Sequence, residues 1–306
     1  MNLKSVYLVA TFLFAACILA AAPLAHAKLR VVTTVTDLRA ITEEVCGDLA
    51  SVEAIAKGTQ DPHYIEAKPS FMVKASRADL MISIGLDLEI GWLPSILRGA
   101  RNPSIMKGQQ GYLEVGPLVE PLEVSKGEIS RAMGDIHPFG NPHVTIDPIR
   151  AGEIAVHIAK RLGELDSGNA ARFLQNATAL KTRLEAKTKL WQARIDKTGV
   201  KSIVTYHKTL TYFFDRFKIA HPAILEPKPG IPPTSGHIID VIQLIRAQKI
   251  PLIFVENFFD PTVTNKIKQD VPSVRAATVA VSVDGAPGIS KIDDLYENLV
   301  KNVEGH

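Results

Sequence analysis

Nine histidines occur in the 306 residues, and three of them, His63, His143 and His207, fall where a strand-like run gives way to a loop or a helix start. Imidazole nitrogens and carboxylate oxygens are the donors from which proteins build divalent-metal sites, and a tetrahedral site takes four of them. His63 lies a short loop beyond the run SVEAIA, and His207 directly follows KSIVTY. His143 stands in NPHVTIDP, just before a helix start at Asp147 and Pro148, a capping acid followed by a proline whose missing N–H is not needed there. Asp284 directly follows AATVAVSV. Open parallel sheets place their ligands at the carboxyl ends of their strands, so these three imidazoles and one carboxylate are candidates to meet at one ion.

The other histidines fit this pattern less well. His157 lies inside a helical repeat, His221 precedes a proline, His237 begins a helix, and His26 and His306 stand near the chain ends. His137, six residues before His143 in GDIHPFGNPH, is an auxiliary candidate. Pro62 and Pro69 restrict the backbone on either side of His63, so its ring loses little conformational freedom on binding. Glu256, at the end of PLIFVE, is placed to accept an N–H from a ligand histidine, and Glu66 is a second candidate for that role.

Short β-branched runs alternate with helical segments along the chain, which is the pattern of parallel α/β units. The expected fold is α/β: two lobes, each with a mostly parallel sheet flanked by helices, joined by one long rigid helix. That helix is expected over residues 166–197, where there is no proline and where Phe173, Leu174, Leu180, Leu184 and Leu190 recur at helical spacings. About thirty residues at 1.5 Å each would span about 45 Å. The lobes are expected at 28–165 and 198–306, with residues 86–141 less regular than the rest.

Residues 1–27 read as a cleavable signal peptide, with Lys4, an apolar run and the small-residue pattern Ala25–His26–Ala27. This predicts a periplasmic chain. Lipid attachment at Cys17 is not expected, because Phe14 stands where a leucine belongs. Loss of Lys4 takes the net charge from +3 to +2, which gives no electrostatic case for nucleic acid or a membrane surface. Cys46 is then the only cysteine. It excludes a disulfide framework within the chain, and its place on the apolar side of ITEEVCGDL predicts a buried, inert thiol.

The blocks DPHYIEAKPS, NPHVTIDP, YHKTLTYFFDRF, EPKPGIPPTSGHI and VENFFDP follow one another in this order. Together they resemble the zinc and manganese solute-binding proteins of bacterial ABC importers, over essentially the whole mature chain. The resemblance implies a receptor that holds a metal ion between two lobes and delivers it to a membrane permease; a monomer is expected. It carries His63, His143 and His207 over as ligands, and Asp284 as the acidic fourth ligand, matched by position more than by motif. Manganese carriers of this kind generally have glutamate where this chain has His207. Imidazole also suits zinc, copper and nickel while manganese favours oxygen, so zinc is the expected cargo. The histidine- and aspartate-rich loop of many zinc receptors is shortened here to Asp135, His137 and their neighbours. An enzyme is not expected, since the chain has no HExxH motif and no nucleophile elbow. The alternative is a secreted zinc hydrolase with Glu66 or Glu256 as base, and a surface adhesin on the same fold is a third reading.

Overall fold

The computed structural model describes residues 28–125, 127, 137–228 and 230–305. The expected signal segment with Cys17, and Asp135, lie outside the described residues. Strands β1 (Leu29–Thr33), β2 (Ala50–Ala54), β3 (Leu80–Ser83) and β4 (Tyr112–Glu114) form a parallel sheet in the order β2-β1-β3-β4. Strands β5 (Ile203–Thr205), β6 (Leu252–Glu256) and β7 (Arg275–Val279) form a second parallel sheet in sequential order. Parallel pairs need long crossovers. Helices α1 (Thr36–Cys46), α2 (Pro69–Ser76) and α3 (Leu93–Ala100) lie in those of the first lobe. Helices α4 (Pro148–Leu165) and α5 (Ala170–Thr198) lead into the second lobe, where α6 (Thr211–Phe217), α7 (Ser235–Gln248) and α8 (Thr262–Asp270) connect the strands and α9 (Ile292–Glu304) closes the chain. Helix α3 and strand β4 lie in the stretch expected to be irregular; both are too short to show a periodicity.

Helix α5 has 29 residues and follows a short 3-10 turn at Ser167–Asn169, so it starts later than 166. It ends at Gly199, whose left-handed φ of 71° favours glycine. It is more than a strut between lobes. Phe173, Ala177, Leu180, Leu184, Trp191 and Ile195 are buried in one apolar cluster that includes residues of α1, α4, α9 and both sheets. Leu174 and Leu190, counted in the expected apolar stripe, are exposed instead. Along the edge of the buried stripe, Arg183 and Lys187 pair with Asp293, and Arg194 with Glu297 and Glu304, which fastens α9 along α5.

The lobes also touch directly. Thr36 Oγ1 donates to the Val283 carbonyl at 2.6 Å, while Asp37 Oδ1 accepts the Val283 N–H at 2.7 Å and Oδ2 accepts from Thr145 Oγ1 at 2.8 Å. Burial raises the pKa of Asp37 to about 6, against the lowering effect of these hydrogen bonds. At Gly58 a Cβ would fall 2.1 Å from the Val283 carbonyl oxygen and 2.5 Å from the Asp284 carbonyl carbon, so this backbone approach between lobes admits only glycine. Cys46 is buried as expected, and burial pushes its thiol up to about 11, which leaves little thiolate to react.

Candidate metal centre

The loop after β2 carries Asp61-Pro62-His63. Asp61 Oδ1 accepts the backbone N–H of His63 at 3.0 Å and also faces its Nδ1 at 2.6 Å. The loop before α4 repeats the device with Asn141-Pro142-His143, where Asn141 Oδ1 accepts the His143 N–H at 3.0 Å and faces Nδ1 at 2.8 Å. In both, an Asx side chain closes a turn onto the residue two positions on and fixes the ring that follows. The orientation of Asn141 is set by its own amide, which donates to Glu123 Oε2 and the Lys208 carbonyl and so turns its oxygen toward His143. His207, just past β5, is held differently. Its Nδ1 lies 2.5 Å from Glu226 Oε2, and Glu226 Oε1 accepts the Gly230 N–H at 2.7 Å.

Each ring thus gives its Nδ1–H to an oxygen, and the neutral tautomer so selected leaves Nε2 as the lone-pair donor. The three ring centroids stand 5.4, 5.5 and 5.5 Å apart, close to an equilateral triangle. Among the described residues, His63, His143 and His207 form a group whose possible ligand atoms all lie within 4.8 Å of one another. Nε2 of His137 is 3.2 Å from Nε2 of His63. Zinc–nitrogen bonds of about 2.0–2.1 Å at tetrahedral angles separate ligand nitrogens by about 3.3 Å, so the arrangement suits an ion after small ring rotations. Burial, followed by the neighbouring rings of His63, His207 and His137, holds the pKa of His143 well below the ordinary imidazole value. It is therefore neutral, as coordination requires. At Asp61 burial raises the pKa, but the hydrogen bonds from the ring and backbone of His63 oppose it and the net shift is downward, so the group stays a carboxylate.

Asp284 is not brought to this cluster, which corrects the expected fourth ligand. Strand β7 stops at Val279, four residues before the end of the expected run, and Val283 docks on Asp37. Asp284, with φ at 62°, is thereby turned toward α1, where its half-exposed carboxylate meets Arg39 at 2.7 Å. Glu66 is also corrected: its carboxylate is 81% exposed and lies 3.7 Å from Lys68. Glu256 Oε1 accepts an N–H of His207 at 3.1 Å, but from the backbone and not the ring; the ring is taken by Glu226. His221 Nε2 lies 2.7 Å from Thr205 Oγ1 and His237 Nε2 lies 2.9 Å from the Ile224 carbonyl, both outside the cluster. Asp61, Asn141 and Glu226 were not singled out from the sequence. The first two carried a signal in the repeated Asx-Pro-His tripeptide; Glu226 carried none.

Burial raises the pKa of Glu256 to about 8, partly offset by backbone N–H groups. It is protonated in the folded state at neutral pH and ionised in the unfolded chain, whose carboxyl titrates near 4.5. The stability it contributes is complete below about 4.5 and is lost as pH rises toward 8, because the folded state then holds the extra proton. Glutamine mimics the protonated acid. Glu256→Gln is therefore expected to flatten the decline in melting temperature of the metal-free protein between about pH 5 and 8, while changing zinc affinity at neutral pH less than about threefold, since the acceptor for the His207 N–H remains. Parallel melting curves for the two proteins would refute the assignment.

Two α/β lobes with a cluster of three imidazoles between them are the frame of a substrate-binding protein for a metal ion, of the kind that serves ABC transporters. The chain belongs to the family of the zinc-uptake complex component A, periplasmic, which matches residues 31–305. It is similar to the manganese ABC transporter substrate-binding lipoprotein scaA of Streptococcus gordonii, with 29% identity over 290 residues, covering 91% of this chain and 89% of that one. It is 24% identical over 248 residues to the zinc-binding lipoprotein AdcA of Streptococcus pneumoniae, covering 80% of this chain and about half (48%) of AdcA. The crystal structure of ZnuA superposes with a TM-score of 0.74 at 20% identity, covering 91% of this chain and 97% of that one, a likeness of fold. The family consists of transporter components and not enzymes, which removes the hydrolase reading. Both relatives are named lipoproteins, which runs against the expectation of a chain without lipid; among the described residues no helix is long and apolar enough to cross a membrane.

Proposed function

We propose that this protein is the extracytoplasmic receptor of an ABC importer and that its cargo is zinc. The ion is held by Nε2 of His63, His143 and His207, with His137 at the fourth corner in place of Asp284. The observation that carries this reading is the commitment of all three Nδ1 atoms to oxygen acceptors, which leaves a donor set of nitrogens alone. Manganese favours oxygen donors, and the carboxylate expected to supply one is paired with Arg39.

His63 and His143 come from the first lobe (28–165) and His207 from the second (198–306), so the ion bridges them. The apolar cluster shared through α5 resists a wide hinge motion, and capture proceeds by small lobe shifts and ring rotation. Release then requires the permease to draw the His207 side away from the other two rings. The receptor acts as a monomer. Protein purified from its native compartment without added metal should contain about one zinc per chain, and deletion of its gene should slow growth under chelation in a way that zinc relieves and manganese does not. Manganese as the dominant metal, or relief by manganese alone, would overturn the assignment.

A further inference from the structure

Two of the three ligand rings are backed by a carboxylate and the third by an amide. We propose that Asp61 and Glu226 are specificity-determining residues: through the rings they supply the negative charge that makes the site prefer a divalent ion over a monovalent one, cuprous ion above all. This rests on the zinc reading of the same site.

The imidazole cluster contains no carboxylate among the described residues. Neutral imidazoles accept copper as readily as zinc, so the donors alone do not discriminate by charge. The missing charge stands one hydrogen bond behind, at 2.6 Å from Nδ1 of His63 and 2.5 Å from Nδ1 of His207. The carboxylate side chains are 19% and 6% exposed, so water screens them poorly. Coulomb attraction is proportional to the charge of the ion, and each carboxylate therefore favours a dication twice as strongly as a monocation. Two of them balance the charge of one zinc ion held by neutral ligands.

The molecule contains its own control. Asn141 holds His143 through the same two contacts that Asp61 makes to His63, without a charge. An amide at position 61 can thus preserve the geometry, because the backbone N–H and the ring N–H both call for an oxygen at Oδ1. Asp61→Asn removes the charge and leaves the ring in place.

Zinc affinity is measured by competition with a chromophoric chelator, and cuprous affinity by competition with a copper(I) chelator under reductant, for the full chain and for Asp61→Asn. Loss of an outer partner lowers metal affinity by about ten- to a hundred-fold. If the loss is Coulombic, its logarithm is halved for a monocation, so cuprous affinity should fall only about three- to tenfold and the zinc-to-copper ratio should drop by about the same factor. Glu226→Gln should shift the ratio in the same direction, which keeps the test open if one variant folds poorly. Equal losses for both ions, or none, would overturn the charge assignment and leave the zinc reading standing. An unaltered protein that binds no zinc would instead remove that reading, and this inference with it.

Discussion

Replacing His207 by alanine is expected to lower zinc affinity by about a hundred- to a thousand-fold. Four-ligand structural zinc sites bind with about 10–16 kcal/mol, or about 2.5–4 kcal/mol per ligand, and each 1.4 kcal/mol is about a factor of ten. The loss has a second, independent signature. Zinc at about a thousand times the dissociation constant stabilises the unaltered protein by about 4 kcal/mol. At the same zinc concentration a variant with a thousand-fold weaker site gains about 0.4 kcal/mol, so the zinc-induced rise in melting temperature nearly vanishes. Asp284→Ala is the decisive companion. Its carboxylate serves Arg39 across an exposed ion pair, a contact of about 0–1 kcal/mol, and its removal should leave zinc affinity within about threefold. Isothermal competition titration of both variants measures this directly. If Asp284→Ala weakened binding as much as His207→Ala, the fourth ligand would be that carboxylate after all, and the lobes would have to close further than this structure shows.

The contrast between these two residues also marks how far the sequence could be read. His63, His143 and His207 were legible because, within an alternating α/β pattern, each stands in a loop after a strand-like run or before a helix start, and such loops lie at the ligand-bearing edge of a parallel sheet. The same rule failed for Asp284, because the apolar run AATVAVSV does not end with its strand. Its last residues leave the sheet to dock on Asp37, a tertiary contact that no local pattern announces. Asp61 and Asn141 were readable in principle, since the Asx-Pro-His tripeptide occurs at both loops and its turn chemistry is local. Glu226 was not readable, because it reaches His207 from a loop 19 residues on. In α5 the helical period was plain, but of the apolar residues that carried it Leu174 and Leu190 are exposed, while Ala177, Trp191 and Ile195 are buried. Helical spacing shows that a helix has faces, and only the packing of α1, α4 and α9 shows which face is covered.

Asp147→Ala is expected to destabilise the metal-free protein by about 3–5 kcal/mol, the range for removing one partner of a buried charge pair, which corresponds to a fall in melting temperature on the order of ten degrees. Asp147 is completely buried. Its Oδ1 accepts from the Ile149 N–H at 2.9 Å, capping α4, and from Arg216 Nε at 2.8 Å; its Oδ2 accepts from Arg150 at 2.6 Å and from a second nitrogen of Arg216 at 2.7 Å. Arg216 belongs to α6, so the carboxylate ties the first lobe to the second four residues beyond His143. The two arginines respond differently to its loss. Arg216 is 31% exposed and can turn to water, whereas Arg150 is 8% exposed and lies 4.8 Å from the ring centre of Tyr212, whose hydroxyl donates to the Asn141 carbonyl at 2.6 Å. An unpaired Arg150 charge therefore stays buried against the loop that carries His143. Asp147→Ser separates this from simple capping, since serine caps a helix about as well as aspartate but carries no charge. If capping were the whole contribution, Asp147→Ser would melt within about 1 kcal/mol of the unaltered protein; if the buried cation dominates, it should lie close to Asp147→Ala in thermal unfolding followed by circular dichroism.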